Sequence, residues 1–157
     1  ARYERSFGYL MSALGVGAFC GALFVAIFDK LGIRKIRSCA IAMGASLALT
    51  GAANSFAWAA AGLAATGFLF VITNSSINST VQMHVSNEFR GRVLSLYALF
   101  LIGSTPFGAL ISGFFTELLG ARVALAICGA ISILLLLALF YGFKIRRRMH
   151  FIFRDKV

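Results

Sequence analysis

The chain alternates long stretches that contain no Asp, Glu, Lys or Arg with short charged segments. The longest charge-free stretch runs from Ser38 to Asn87, and three shorter ones cover Phe7–Phe28, Val93–Thr116 and Val123–Phe143. Because roughly 20 apolar residues in an α-helix cross a hydrocarbon core of about 30 Å, each shorter stretch predicts one span. The longest stretch exceeds one span and is divided at the polar pair Asn54-Ser55. The pattern therefore predicts five membrane-spanning helices.

We expect an all-α membrane bundle of residues 1–143, followed by a basic cytoplasmic tail of residues 144–157. A β-barrel would show segments of about ten residues that alternate apolar and polar positions, and the chain has no such alternation. A soluble helical protein would need a polar face on each helix, which these stretches lack. The predicted helices cover residues 7–28, 38–53, 57–85, 93–116 and 123–143.

Composition agrees with a bundle of closely packed membrane helices. Hydrophobic residues make up 60% of the chain and charged residues 13%, against about a quarter in soluble domains. Gly17 and Gly21 form a GxxxG motif in the first helix, which predicts a close approach by a neighbouring helix of the same bundle. The single proline, Pro106, predicts a kink in the fourth helix.

The basic residues are distributed unevenly between the two sides of the predicted bundle. Of the fifteen Lys and Arg residues, twelve follow the first, third or fifth span, and three lie on the other side. This positive-inside pattern predicts that the basic loops and the C-terminus are cytoplasmic. Topology therefore accounts for the net charge of +10, and no motif that reads DNA or RNA accompanies it. We expect membrane lipid as a partner and no nucleic acid.

The chain shows no arrangement of residues suited to covalent catalysis or to metal binding. Cys20, Cys39 and Cys128 have no metal-ligand spacing, and neither His84 nor His150 has a ligand-spaced thiol or carboxylate nearby. We expect no enzyme activity, no metal and no cofactor. No Asp or Glu falls at the middle of a span, so we expect any ion-coupling group to lie outside this chain.

A polar stripe on the third predicted helix is the strongest internal feature. Asn74, Asn78 and Gln82 recur every four residues, which places them on one helix face, and Ser75 lies beside them. Amide side chains are costly against lipid, so this polar stripe (Asn74, Asn78 and Gln82) should face other helices or a water-filled cavity. Two interpretations stay open: the stripe lines a transport path, or it fixes helix packing through interhelical hydrogen bonds.

The loop after the first span connects the chain to a family. The segment D-K-L-G-I-R-K resembles the D-[RK]-x-G-x-R-[KR] loop of major facilitator superfamily transporters, which joins two helices on the cytoplasmic side. The matching positions are Asp29, Gly32, Arg34 and Lys35.

A second segment, from Asn78 to Gly113, resembles the junction between helices ten and eleven in the drug- and siderophore-exporting branch of that superfamily. This branch includes macrolide efflux proteins and enterobactin exporters. On this resemblance the five spans are similar to helices eight to twelve of a twelve-helix transporter. The residues that carry the match are Asn78, Gln82, Glu88, Arg90, Gly91, Arg92, Pro106, Gly108 and Gly113.

The resemblance implies a function and a set of partners. It implies proton-driven export of a small amphipathic molecule by alternating access, in the inner membrane of a bacterium. The missing N-terminal half of the transporter would lie outside this chain. The loop residues named above, among them Asp29, Arg90 and Arg92, would form a cytoplasmic gate with that half. Gly103 and Pro106 join the polar stripe and Ser75 as candidates for the substrate path. The alternative is a small membrane scaffold or subunit that transports nothing.

Overall fold

Five α-helices account for nearly all of the chain that the structure describes. The computed structural model describes residues 2–28 and 32–154, with side chains described for residues 6–28 and 32–141. These helices confirm the predicted all-α fold. In order they are α1 (Arg2–Ile27), α2 (Ile33–Gly51), α3 (Phe56–His84), α4 (Arg90–Leu119) and α5 (Ala121–Arg154).

Four of the described helices are long and apolar enough to cross a membrane. These segments are Ser6–Ile27, Phe56–His84, Arg90–Leu119 and Ala121–Tyr141. The remaining helix, α2, has 19 residues and begins with a basic segment, which shortens its apolar part. It nevertheless packs lengthwise between α3 and α5, as the contacts below show.

The helix bounds differ from the predicted ones where charged residues are helical. α2 begins at Ile33 instead of Ser38, and α4 begins at Arg90 instead of Val93. Charge-free counting finds the part of a helix that fits hydrocarbon, whereas a helix continues into the headgroup region where charged side chains are solvated. For the same reason α5 continues to Arg154, through most of the segment predicted as a separate tail.

Small residues let α1 and α3 pack backbone against backbone. A Cβ added to Gly17 would clash with the carbonyl oxygen of Ala64, and one added to Gly21 would lie 2.7 Å from the carbonyl oxygen of Phe68. Gly67 faces the backbone of α1 in the same way. Because the contacts advance together along both helices, α1 and α3 are parallel. The GxxxG motif thus acts within the bundle, as predicted.

Glycines also bring α2 and α5 together, in an antiparallel pair. A Cβ on Gly44 would lie 3.3 Å from the carbonyl oxygen of Gly129, and one on Gly51 would lie 2.6 Å from the amide nitrogen of Ala126. A side chain at Gly51 would require a shift of backbone, and one at Gly44 would also have to displace the Cγ1 of Ile133, 2.8 Å from the added Cβ. The two helix pairs, α1 with α3 and α2 with α5, form the packed part of the bundle.

Hydroxyl groups join the two pairs where α2 meets α3. The Oγ of Ser46 donates to the carbonyl oxygen of Gly62 at 2.9 Å, and the Oγ1 of Thr66 lies 3.1 Å from the Oγ of Ser46. Thr50 donates to the carbonyl oxygen of Ser46 at 2.8 Å and packs against Gly62. These polar contacts fix the register of α2 against α3.

α4 lies at the edge of the described bundle and contributes no buried residue to it. A turn at Gly120 connects it to α5, and the backbone there has φ of 81°, a value that favours glycine. α4 continues through Pro106 as one helix. It meets α3 at Tyr97, near its own beginning, which places the start of α4 beside the polar stripe.

Candidate functional site

The polar stripe lies on the second half of α3, as the four-residue spacing predicts. The side-chain amide of Gln82 donates to the Oδ1 of Asn78 at 2.9 Å, so these two members are bonded to each other along the helix. Asn78 is half-buried and Gln82 is exposed. The stripe therefore becomes more accessible toward the end of α3.

Asn74, the member of the stripe farthest from the end of α3, has a partner on α4. The hydroxyl of Tyr97 donates to the Oδ1 of Asn74 at 2.5 Å, and both side chains are half-buried. Sequence reasoning did not identify Tyr97 as a site residue. The feature that could have indicated Tyr97 is a tyrosine within an apolar stretch, since a buried tyrosine hydroxyl usually has a hydrogen-bond partner.

Polar groups continue around α3 beside the stripe. Ser75 is half-buried, whereas Thr73 and Ser76 are 7% exposed. The Oγ1 of Thr73 is buried and has no hydrogen-bond partner among the described residues. An unpaired buried hydroxyl costs about 1–3 kcal/mol. This part of α3 therefore has a hydroxyl group that could still form a hydrogen bond.

The structure does not bring the α4 candidates against the stripe. A Cβ added to Gly103 would have no atom within 4 Å, and Pro106 is exposed. The hydrogen bond between α4 and the stripe is made by Tyr97, which lies about two helical turns before Gly103. The predicted path residues thus form two separate groups, one on α3 with Tyr97 and one on the open part of α4.

The loop that precedes α2 contributes exposed charge. Gly32 occupies the position before α2 with an extended backbone, and its carbonyl oxygen accepts the amide of Lys35 at 2.8 Å. Arg34 and Lys35 are exposed in the first turn of α2. Asp29, the remaining candidate of this loop, lies outside the described residues.

The loop that precedes α4 and the first turn of that helix also contribute exposed charge. The amide of Phe89 donates to the carbonyl oxygen of Ser86 at 3.1 Å, which closes the turn from which α4 starts. The candidate residues of this loop form no ion pair with any other residue that the structure describes. All four are exposed; they are Glu88, Arg90, Gly91 and Arg92.

A comparison with protein-family models connects this arrangement to known proteins. The chain matches the model of the transmembrane secretion effector family, of the major facilitator superfamily, over residues 3–151. The chain belongs to this family. Comparisons with curated proteins and with solved structures gave no match.

Membership in the transmembrane secretion effector family confirms the predicted superfamily. It gives the protein a transporter-like role and agrees with helices that are long and apolar enough to span a membrane. The protein is therefore an integral membrane protein, and its family is one of transporters rather than enzymes. Among the described residues, no group of three or more His, Cys, Asp or Glu is placed to hold a metal ion.

Proposed function

We propose that the chain is part of a secondary active transporter that exports a small amphipathic molecule, a drug or a siderophore, by alternating access. The family match supports the transporter-like role. The polar stripe carries the rest of the proposal, because amides in a span that could be wholly apolar need a compensating partner. In this proposal that partner is substrate and water in the cavity between the two halves of the transporter.

The hydrogen bonds of the stripe leave capacity for a ligand. An asparagine side chain offers two N–H donors and an acceptor oxygen. Asn74 uses its oxygen to accept from Tyr97, and Asn78 uses its oxygen to accept from Gln82. Among the described residues, neither amino group has a hydrogen-bond acceptor. In this proposal both amino groups donate to an oxygen of a substrate.

The charged loops form a cytoplasmic gate in this proposal. Arg34, Lys35, Arg90 and Arg92 are exposed and without described ion-pair partners, which leaves them free to meet the opposite half of the transporter. Asp29, Gly32, Glu88 and Gly91 complete the two loops. Exposed pairs contribute about 0–1 kcal/mol each, which is enough to bias two states that differ by a few kcal/mol.

We further propose the orientation and the energy source. The distribution of Lys and Arg supports gate loops and a C-terminus that lie in the cytoplasm. The membrane in this proposal is a bacterial inner membrane. Protons drive export through a carboxylate outside this chain, since the charge-free stretches carry no acidic group at mid-membrane. Gly103 and Pro106 complete the substrate path on the open part of α4.

A membrane scaffold remains the second candidate function. The observation that favours it is the bonding of the stripe itself, since the Tyr97–Asn74 bond joins two helices and therefore also serves packing. A scaffold needs such packing contacts and no cavity. It would bind neighbouring helices and transport no substrate.

Transport per folded molecule separates these functions. The full-length protein is reconstituted in liposomes, and efflux of a fluorescent amphipathic dye is divided by the amount of folded protein. If the stripe lines the path, Asn74→Ala and Asn78→Ala change this ratio or the range of substrates.

The matched control is Thr66→Ala on the same helix, which removes a hydroxyl that is bonded to α2. It should lower stability and leave transport per folded molecule unchanged. Equal ratios in all variants would reject the path, and absence of efflux by the full-length protein would reject transport.

A further inference from the structure

An open groove lies where the end of α1, the start of α2 and the middle of α3 meet. Its volume is about 390 Å³, within the range of roughly 300–1,000 Å³ that is typical of ligand sites. The residues that line it are Phe24, Arg34, Lys35, Ser38, Cys39, Phe68, Leu69 and Ile72. The groove lies apart from the polar stripe and Tyr97, none of which lines it.

The floor of the groove is apolar and aromatic. The rings of Phe24 and Phe68 pack edge to face, with centroids 5.7 Å apart, and Leu69 and Ile72 continue the surface along α3. Such a floor offers dispersion and hydrophobic contact to a hydrocarbon chain and offers nothing to a free inorganic ion. The ligand that fits it therefore includes an apolar segment.

The mouth of the groove is cationic, and none of its described lining residues is acidic. Arg34 and Lys35 line it from the first turn of α2, and neither forms an ion pair within the described part of the chain. No side chain caps the first turn of α2, so the dipole of this 19-residue helix adds to the positive potential there. Charge complementarity selects an anionic group, with phosphate favoured by the guanidinium fork.

Arg37 shows that the basic residues of α2 are divided between two faces. Its guanidinium lies over the ring of Phe140 on α5, 5.3 Å from the centroid, and it does not line the groove. Arg34 and Ser38 are one helical turn apart, as are Lys35 and Cys39, so both cations are on the groove side. Arg37 therefore serves as a control, because any general attraction between basic residues and anionic lipid would involve it as well.

We propose that this groove binds one anionic phospholipid, with its phosphate between Arg34 and Lys35 and an acyl chain along Phe24, Phe68 and Leu69. The cations lie at the end of the groove where α1 ends and α2 begins, and the apolar floor extends from there toward the middle of α3. This order matches a phospholipid, whose headgroup lies at the membrane surface and whose chain lies in the hydrocarbon. The inference does not depend on transport. A phosphate held by Arg34 and Lys35 would leave the proposed gate contacts to the other loop residues, among them Asp29, Arg90 and Arg92.

Native mass spectrometry of the purified full-length protein tests the site. The delipidated protein is titrated separately with phosphatidylglycerol, phosphatidylcholine and inorganic phosphate. We expect phosphatidylglycerol to bind most tightly. Each basic residue near an anionic lipid surface contributes about fivefold in affinity, so Arg34→Gln and Lys35→Gln should each weaken binding by about that factor. Arg37→Gln removes the same charge from the other face and should change the affinity by less than twofold.

A fourth variant tests the floor without altering charge. Leu69→Trp fills the groove and should weaken phosphatidylglycerol binding while elution volume and helical content stay those of the natural protein. Equal weakening by Arg34→Gln and Arg37→Gln would overturn the proposal in favour of unspecific attraction. Equal affinity for phosphatidylglycerol and phosphatidylcholine would contradict the proposed preference for an anionic headgroup. Tight binding of inorganic phosphate, unaffected by Leu69→Trp, would show a free-anion site instead.

Discussion

The hydroxyl of Tyr97 on α4 donates to the Oδ1 of Asn74 on α3 at 2.5 Å, and this bond marks the place where the two helices meet. Among the described residues, α4 has no buried residue beyond Tyr97, and no atom lies within 4 Å of a Cβ added at Gly103, Gly108 or Gly113. The bond therefore holds a lightly packed helix against the bundle at the level of the polar stripe. Any movement of α4 away from α3 must break it.

We predict that Tyr97→Phe lowers the thermal stability of the protein without preventing insertion. Hydrogen bonds between membrane helices contribute about 0.6–2 kcal/mol, which sets the expected loss. The melting temperature in detergent is measured for Tyr97→Phe, Asn74→Ala and the double variant. Because the two residues share one bond, the double variant should lose less than the sum of the single losses. Strictly additive losses would show that the two side chains do not interact in the membrane.

Gly17 gives a prediction about packing, with Gly15 on the same helix as its control. A Cβ at Gly17 would clash with the carbonyl oxygen of Ala64, whereas one at Gly15 has no atom within 4 Å. We expect Gly17→Ala to destabilise the bundle by about 1–3 kcal/mol, the usual cost of overpacking, because backbone must move. Gly15→Ala should be neutral or slightly stabilising, since alanine favours the helix. Heating in detergent followed by size-exclusion chromatography compares them; equal melting temperatures would contradict the observed α1–α3 contact.

The helices were predictable from the sequence because charged side chains are costly within the hydrocarbon core of a membrane. Charge-free length found all five, and the GxxxG motif found the close contact at Gly17 and Gly21. The same rule could not find where helices end outside the hydrocarbon, so the start of α2 at Ile33 was missed. Water in the headgroup region tolerates Arg34 and Lys35 in a helix as readily as in a loop.

The candidate site was predictable only in part, for a geometric reason. Asn74, Asn78 and Gln82 share one helix, so their spacing shows that they share a face. Tyr97 is on another helix, and no spacing along the chain reports which residues of two helices meet. The groove at Arg34 and Lys35 was missed for the same reason, since three helices build it.

The proposed orientation predicts opposite accessibility of two positions. In a protein whose Cys20, Cys39 and Cys128 are replaced by alanine, single cysteines are introduced as Lys35→Cys and Ser55→Cys. Because Lys35 is in the first turn of α2 and Ser55 follows its other end, an impermeant maleimide should label Ser55→Cys in intact cells and Lys35→Cys only in inverted vesicles. Labelling of both variants from the same side would contradict the orientation drawn from the basic residues.

The proposed gate predicts a loss of transport that charge alone does not explain. Arg92→Gln and Asp29→Asn in the full-length protein should reduce transport while expression stays constant, since both residues would contact the opposite half when the cytoplasmic side is closed. Arg122→Gln removes one positive charge at the start of α5, on the other side of the bundle, and serves as the control. We expect severalfold lower turnover for the gate variants and little change for Arg122→Gln. If turnover is equal in all three, the loops serve topology alone.

Gly103 provides the last prediction, because the structure leaves its surroundings open. Nothing lies within 4 Å of a Cβ added there, so Gly103→Ala has no described neighbour to displace and should not lower the melting temperature. Gly129→Ala is the matched control, since its Cβ would lie 2.5 Å from the amide nitrogen of Ala48 and should destabilise the protein. If Gly103 lines the substrate path, its variant changes transport per folded molecule while stability is kept. A fall in stability would instead show that Gly103 packs against a part of the transporter outside this chain, and unchanged transport would remove it from the path.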